Sequence, residues 1–132
     1  MVKIFFDTDI LIDYTFGKSK LLYTLLNEQK KREVELFINP IVTAEFLNDR
    51  NLLDTFKLKK AVKFLSLFQI IEIDVKLGIV AGQLLRENKI IFLSNALIAA
   101  TCVNNTLLLA TRNRKHFDKV PHLQFYSPKR KY

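Results

Sequence analysis

Val2-Lys3-Ile4-Phe5-Phe6-Asp7-Thr8-Asp9-Ile10-Leu11-Ile12-Asp13 is the stretch that decides the fold. Residues 2–6 are rich in Ile, Val and Phe in one short apolar run, which predicts a strand. The spacing then turns helical over 9–15, with Thr8 or Asp9 available as its cap. Asp7 closes the strand. A strand that passes straight into a helix is the first half of a βα unit, and the rest of the chain repeats the alternation.

Gly17-Lys18-Ser19 breaks the first helix, and a second is expected over 19–32, with Leu21, Leu22, Leu25 and Leu26 as its apolar stripe. Glu35–Ile38 reads as a second strand. Asn39-Pro40 opens a helix, because proline suits the first helical turn. That helix carries Val42, Glu45 and Phe46, with Glu45 expected where the helix packs on the core. Residues 51–67 read as helical, 70–73 as a third strand, and 75–87 as a helix capped by Asp74. Ser94 or Asn95 is the expected cap of the next helix, over 95–104, whose Ala96, Leu97, Ile98, Ala99 and Ala100 predict burial on most sides. Leu107–Ala110 reads as a fourth strand, followed by a short helical turn through Phe117, and 123–126 as a fifth strand. Strands alternating with helices imply an α/β domain with a mainly parallel sheet and right-handed crossovers.

The chain of 132 residues fits one domain, 1–132, with Ser127–Tyr132 expected to fray. One cysteine excludes an internal disulfide and suits a reducing cytosol; Cys102, in an apolar helix, reads as a small buried hydrophobe. No run approaches the ~20 apolar residues of a membrane span. No export signal is visible at the N-terminus, so a cytoplasmic location is expected. The charge of +8, from 21 Lys+Arg against 13 Asp+Glu, favours a polyanion or an acidic protein as partner over neutral or cationic ones. A solvated, lysine-rich surface explains the same number equally well. The cations cluster at Lys30-Lys31-Arg32, Lys57-Lys59-Lys60, Arg112-Arg114-Lys115 and Lys129-Arg130-Lys131.

In parallel sheets ligands bind beyond the carboxyl ends of the strands. Asp7 follows the first strand, Glu45 lies in the helix after the second, and Asn113 follows the fourth. Asn95 begins a helix whose start should face the same edge. Singly these residues have plain structural readings: a cap, an exposed charge, a second cap, a turn residue. Together on one edge they suggest a metal site. Neighbouring carboxylates raise one another's pKa, and a hard divalent cation reverses that penalty. Such a cation polarises a phosphoryl oxygen and lowers the pKa of water, so phosphodiester hydrolysis is the natural chemistry of an acidic pocket in a basic protein.

Four segments now carry a resemblance: Asp7-Thr8-Asp9-Ile10-Leu11-Ile12-Asp13, Thr43-Ala44-Glu45-Phe46, Asn95-Ala96-Leu97-Ile98-Ala99-Ala100, and Thr111-Arg112-Asn113-Arg114-Lys115-His116-Phe117. In this order and spacing they resemble the PIN domain, above all the VapC-type toxins of prokaryotic toxin–antitoxin pairs. The resemblance spans nearly the whole chain. It implies a three-layer sandwich with a mainly parallel, roughly five-stranded sheet flanked by helices. It also implies Mg²⁺- or Mn²⁺-dependent endoribonuclease activity on RNA, a homodimer, a cognate antitoxin, and contact with operator DNA only through the antitoxin complex. Asp7 and Glu45 match the first two acidic ligands. Asn95 stands where the family usually has a third acid, and Asn113 where it has Asp or Asn. Thr111 matches a hydroxyl residue near the metal pocket, and Asp9 is a supporting residue at a variable position. His116 matches a histidine for which a structural role is expected. Arg112 and Arg114 are candidates for substrate phosphate contacts, against a plain surface role.

Asn95 weakens the implied site. It keeps an amide oxygen but is neither an anionic ligand nor a proton acceptor. Two accounts fit: a natural asparagine in a protein that binds without efficient cleavage, or a near-isosteric change that silences a toxic nuclease. The intact remainder of the motif favours the second. A catalytically inactive module that binds antitoxin and nucleic acid is the competing function. Processing of DNA is a third, disfavoured by the absence of an added substrate-threading domain.

Overall fold

A computed structural model describes residues 1–128; the expected fraying beyond Pro128 and the basic cluster Lys129-Arg130-Lys131 lie outside the described residues. The elements follow one another as β1 (Val2–Phe6), α1 (Thr8–Thr15), α2 (Lys20–Lys30), β2 (Val34–Ile38), α3 (Pro40–Leu47), a 3₁₀ turn (Arg50–Leu53), α4 (Thr55–Leu65), β3 (Gln69–Ile70), α5 (Val75–Arg86), α6 (Leu93–Asn105), β4 (Leu108–Ala110) and a second 3₁₀ turn (Arg114–His116).

The sheet has the order β3-β2-β1-β4, and every pairing is parallel. Val2 pairs with Val34 and Phe5 with Phe37 on one side of β1, while Ile4 pairs with Leu108 and Phe6 with Ala110 on the other. β1 is therefore central, which explains why Ile4, Phe5 and Phe6 are wholly buried. The expected fifth strand shrinks to a single parallel bridge between Leu109 and Phe125. Leu109 N donates to Gln124 O and Tyr126 N to Leu109 O, so the C-terminal segment lies along β4 as an edge without forming a ladder. The sheet thus has four strands and one bridge, close to the expected five.

Local chemistry accounts for most element starts. Asp74 caps its helix through a side-chain oxygen, as expected, and Ser19 and Asn39 do the same for α2 and α3. Three expectations need correction. The cap of α1 is Asp7 rather than Thr8 or Asp9. The segment read as one helix over 51–67 breaks at Asp54, which takes up extended dihedrals and caps α4 instead. α6 begins two residues earlier than expected, with Phe92 at its cap position and no side-chain cap bond, so Asn95 is in the first turn and not at the cap. Ile98, Ala99, Ala100 and Cys102 of α6 are buried as expected. β3 covers only 69–70, because past Ile71 N, which donates to Ile38 O, the chain leaves the sheet.

One buried polar link ties the helices that frame the sheet edge. Asn39, fully buried, accepts from Val42 N to cap α3 and donates from Nδ2 to Thr101 Oγ1 on α6 at 3.0 Å. Thr101 in turn donates to Leu97 O at 2.7 Å. α3 carries Glu45 and α6 carries Asn95, so this bond fixes the spacing of two elements that supply candidate site residues. Among the described residues no helix is long and apolar enough to cross a membrane.

Candidate functional site

Asp7 leaves the C-terminal end of β1 with its backbone N–H donating to Ala110 O of β4 at 3.0 Å. Its side chain is buried and accepts two hydrogen bonds: Thr8 N at 2.8 Å on Oδ1 and Thr111 Oγ1 at 2.8 Å on Oδ2. Thr8 then turns outward and donates from Oγ1 to Glu45 Oε1 at 2.7 Å. One threonine thus connects the Asp7 carboxylate to the Glu45 carboxylate across α1 and α3. Glu45 is exposed rather than packed on the core; its neighbour Phe46 takes the buried position.

The segment after β4 completes the arrangement. Asp9 Oδ2 accepts from Arg112 N at 3.0 Å and from Asn113 Nδ2 at 3.2 Å, while Asn113 N donates to Thr111 Oγ1 at 3.0 Å. The second oxygen of Asp9, Oδ1, is buried without a hydrogen-bond partner. Arg112 Nε pairs with Asp13 Oδ2 at 2.6 Å, one helical turn along α1 from Asp9. Arg114 turns away: it donates to Tyr126 O and Ser127 Oγ and lies over the Phe125 ring. Both candidate phosphate contacts therefore have partners within the protein.

Burial raises the Asp7 carboxyl above the ordinary carboxylate value, and the Glu45 charge adds to the rise, while bonds from Thr111 and Thr8 and the nearby His116 oppose it. Asp9 is raised by burial first and by the charge of Asp7 second, against the bonds it accepts. Beside burial, a neighbouring acid thus disfavours the charge of Asp7 and of Asp9. His116 packs edge-on against Phe92.

Of the residues singled out from the sequence, Asp7, Asp9, Glu45, Thr111, Arg112 and Asn113 meet at the carboxyl edge of β1 and β4. Asn95 is half-buried in the first turn of α6 and stands outside this hydrogen-bond network. Among the described residues, no three His, Cys, Asp or Glu side chains form a group that could hold a metal by themselves. The donors available are two coupled carboxylates, one supporting carboxylate and an amide. Such hard oxygen donors suit Mg²⁺ or Mn²⁺, which fill the rest of their shell with water. Thr8 and Asp13 escaped the sequence reading. Thr8 was legible only as a cap, although a hydroxyl next to a buried acid can bridge to a second acid. Asp13 was visible four residues after Asp9, the helical repeat that puts both on one face. A separate recess lined by Met1, Gln29, Arg32, Glu35 and Leu67 opens at the opposite edge, where β1 and β2 begin.

The family model of the PIN domain matches residues 4–123. No curated protein sequence matches the chain significantly. Among solved structures, the chain is similar to VapBC from Salmonella typhimurium in a DNA-bound crystal structure, with 20% identity and a TM-score of 0.79 over 96% of this chain and 98% of that one. It is also similar to VapBC2 from Rickettsia felis bound to a DNA fragment from its promoter, with 22% identity and a TM-score of 0.76 over 95% and 98% of the two chains. A toxin–antitoxin complex from Klebsiella pneumoniae matches at 28% identity and a TM-score of 0.68 over 91% and 94%. With the parallel sheet, the acids at its carboxyl edge and a family match across nearly its whole length, this chain belongs to the PIN domain family and has the fold of the VapC-type toxins.

Proposed function

We propose that the protein is a metal-dependent endoribonuclease, the toxin of a toxin–antitoxin pair, whose site is weakened by Asn95. The observation that carries this reading is the Asp7–Thr8–Glu45 chain, which joins two carboxylates through one threonine so that their charges repel. A divalent cation relieves that repulsion, and an acidic pocket within a protein of charge +8 suits a phosphodiester backbone. Asp7, Glu45 and the amide oxygen of Asn95 would hold Mg²⁺ or Mn²⁺. When bound, that ion supplies a water of lowered pKa and polarises a phosphoryl oxygen. Thr111 orients Asp7, Asn113 shapes the loop, and Asp9 supports it. Arg112 would meet a substrate phosphate on leaving Asp13, and Arg114 would contribute positive charge from its seat on the C-terminal segment. The likeness to toxin–antitoxin complexes, two of them DNA-bound, supports a cognate antitoxin and operator DNA reached through that complex; a homodimer and a cytoplasmic setting belong to the same proposal.

The test is Asn95→Asp. Restoring the carboxylate is expected to raise RNA cleavage with Mg²⁺ or Mn²⁺ by about 10²–10³, the usual effect of one well-placed transition-state group, and EDTA should abolish it. No metal-dependent cleavage by that variant would refute the nuclease reading. One observation favours a second reading, an inactive binding module: no three acidic or imidazole side chains form a metal group among the described residues. On that reading the chain binds its antitoxin with the same affinity before and after Asn95→Asp, and neither form cleaves RNA.

A further inference from the structure

We propose that Asp9 and Asn113 are a positioning pair, in which Asn113 serves as an amide donor to Asp9 and thereby keeps the Thr111 hydroxyl on Asp7. The proposal rests on the reading of Asp7 as a working site residue and deepens it. The segment Thr111–Asn113 leaves β4 at the sheet edge with no ladder partner beyond Ala110. What holds it is α1. Asp9 Oδ2 takes the Arg112 N–H at 3.0 Å and the Asn113 amide at 3.2 Å, two donors on one oxygen. Between these anchors, Asn113 N reaches back to Thr111 Oγ1 at 3.0 Å. That bond occupies one lone pair of the hydroxyl and turns its proton toward Asp7 Oδ2, 2.8 Å away. The chain of bonds therefore runs from Asp9 through Asn113 and Thr111 to Asp7, and each donor has a single acceptor.

This geometry gives the asparagine at 113 a reason. A carboxylate there has no hydrogen to give and would face Asp9 at the distance of a hydrogen bond, so the two would repel. The acid in this pair resides on α1 and the amide on the loop. An oxygen on Asp9 is what the pair requires, more than its charge, because both bonds end on that one atom. Groups that orient a metal ligand from behind typically change metal affinity or activity by about 10–100-fold when removed.

The experiment measures amide hydrogen exchange at Arg112 and Asn113 by NMR, together with Mn²⁺ affinity by calorimetry, in the Asn95→Asp protein. Asp9→Ala is expected to speed exchange at the Asn113 amide about tenfold or more, although the direct partner of that amide, Thr111, is untouched. Asp9→Asn, which keeps an acceptor oxygen, should retain most of the protection. Asn113→Asp should lose it as Asp9→Ala does, and should weaken Mn²⁺ binding about tenfold. Unchanged exchange at Asn113 in Asp9→Ala would overturn the proposal. So would tighter Mn²⁺ binding by Asn113→Asp with exchange unaltered, since Asn113 would then face the metal. Exchange is read without metal or RNA. If the Asn95→Asp protein cleaves no RNA, the nuclease reading fails while the pair is still judged on its own.

Discussion

Asp7 is the residue at which folding and chemistry conflict. Burial raises its carboxyl above the ordinary value of 3.8, and Glu45 raises it further. A carboxyl whose folded pKa lies above its unfolded one binds its proton more tightly in the fold. Its contribution to stability is complete below the unfolded value and is lost as pH rises through the folded one. Asp9 has the same sign. Both therefore oppose the fold at neutral pH unless a cation meets them. Asp7→Asn removes the charge while keeping an oxygen for Thr8 N. It should raise Tm at pH 7 by roughly a few degrees, with the gain shrinking as the pH is lowered toward 4. The check is a thermal melt at stepped pH. An equal gain at pH 4 and pH 7 would assign the effect to packing instead. The residue scale is also where the sequence spoke least. Asp7, Glu45 and Asn113 could be named from their places after strands, because topology sends strand ends to one edge, and Thr111 from the family resemblance alone. Nothing in the spacing of Thr8 indicated that its hydroxyl would turn to Glu45, since that depends on how α3 crosses α1.

At the scale of elements, the buried bond between Asn39 and Thr101 is the clearest test of how α3 and α6 are held together. Thr101→Val is nearly isosteric but leaves the Asn39 amide buried without an acceptor. The expected loss is about 1–3 kcal/mol. In urea it should appear as a lower midpoint at unchanged slope, and a midpoint within error of the parent's would mean that water takes the place of the hydroxyl. Three helix starts were legible, those of α2, α3 and α5, where Ser19, Asn39 and Asp74 each stand directly before the helix. α6 was misplaced by two residues because Ser94 and Asn95 have cap chemistry that the chain leaves unused. The helix instead starts after Phe92. Short strands failed for a related reason. Residues 70–73 and 123–126 have strand composition, but ladder length depends on the neighbouring strand, and that neighbour is not local in the sequence.

The whole molecule is a cation carrying a small anionic spot. Lys57, Lys59 and Lys60 line α4, and the Lys30–Arg32 cluster ends α2, while the acids gather at the carboxyl edge of β1. A polyanion held by such a field should release counterions on binding. With Asn95 in place and EDTA present, the affinity for single-stranded RNA should fall by roughly tenfold or more between 50 and 200 mM salt. Fluorescence anisotropy at stepped salt measures this. A flat response would mean that the positive charge serves solubility and leaves the contact to other forces.

The central place of β1 has a bearing on how the molecule comes into being. Though early in the sequence, β1 is the last strand to be completed, because its β4 partner, paired as Ile4 with Leu108, comes late, and the same late stretch brings the hydroxyl that steadies Asp7. A nascent polypeptide halted before residue 108 has an open seam beside Ile4 and Phe6 and an unsteadied acid. On the proposed reading of the site, a copy that has not yet added β4 and Thr111 lacks the bond that orients its acid, so cleavage waits on that late stretch.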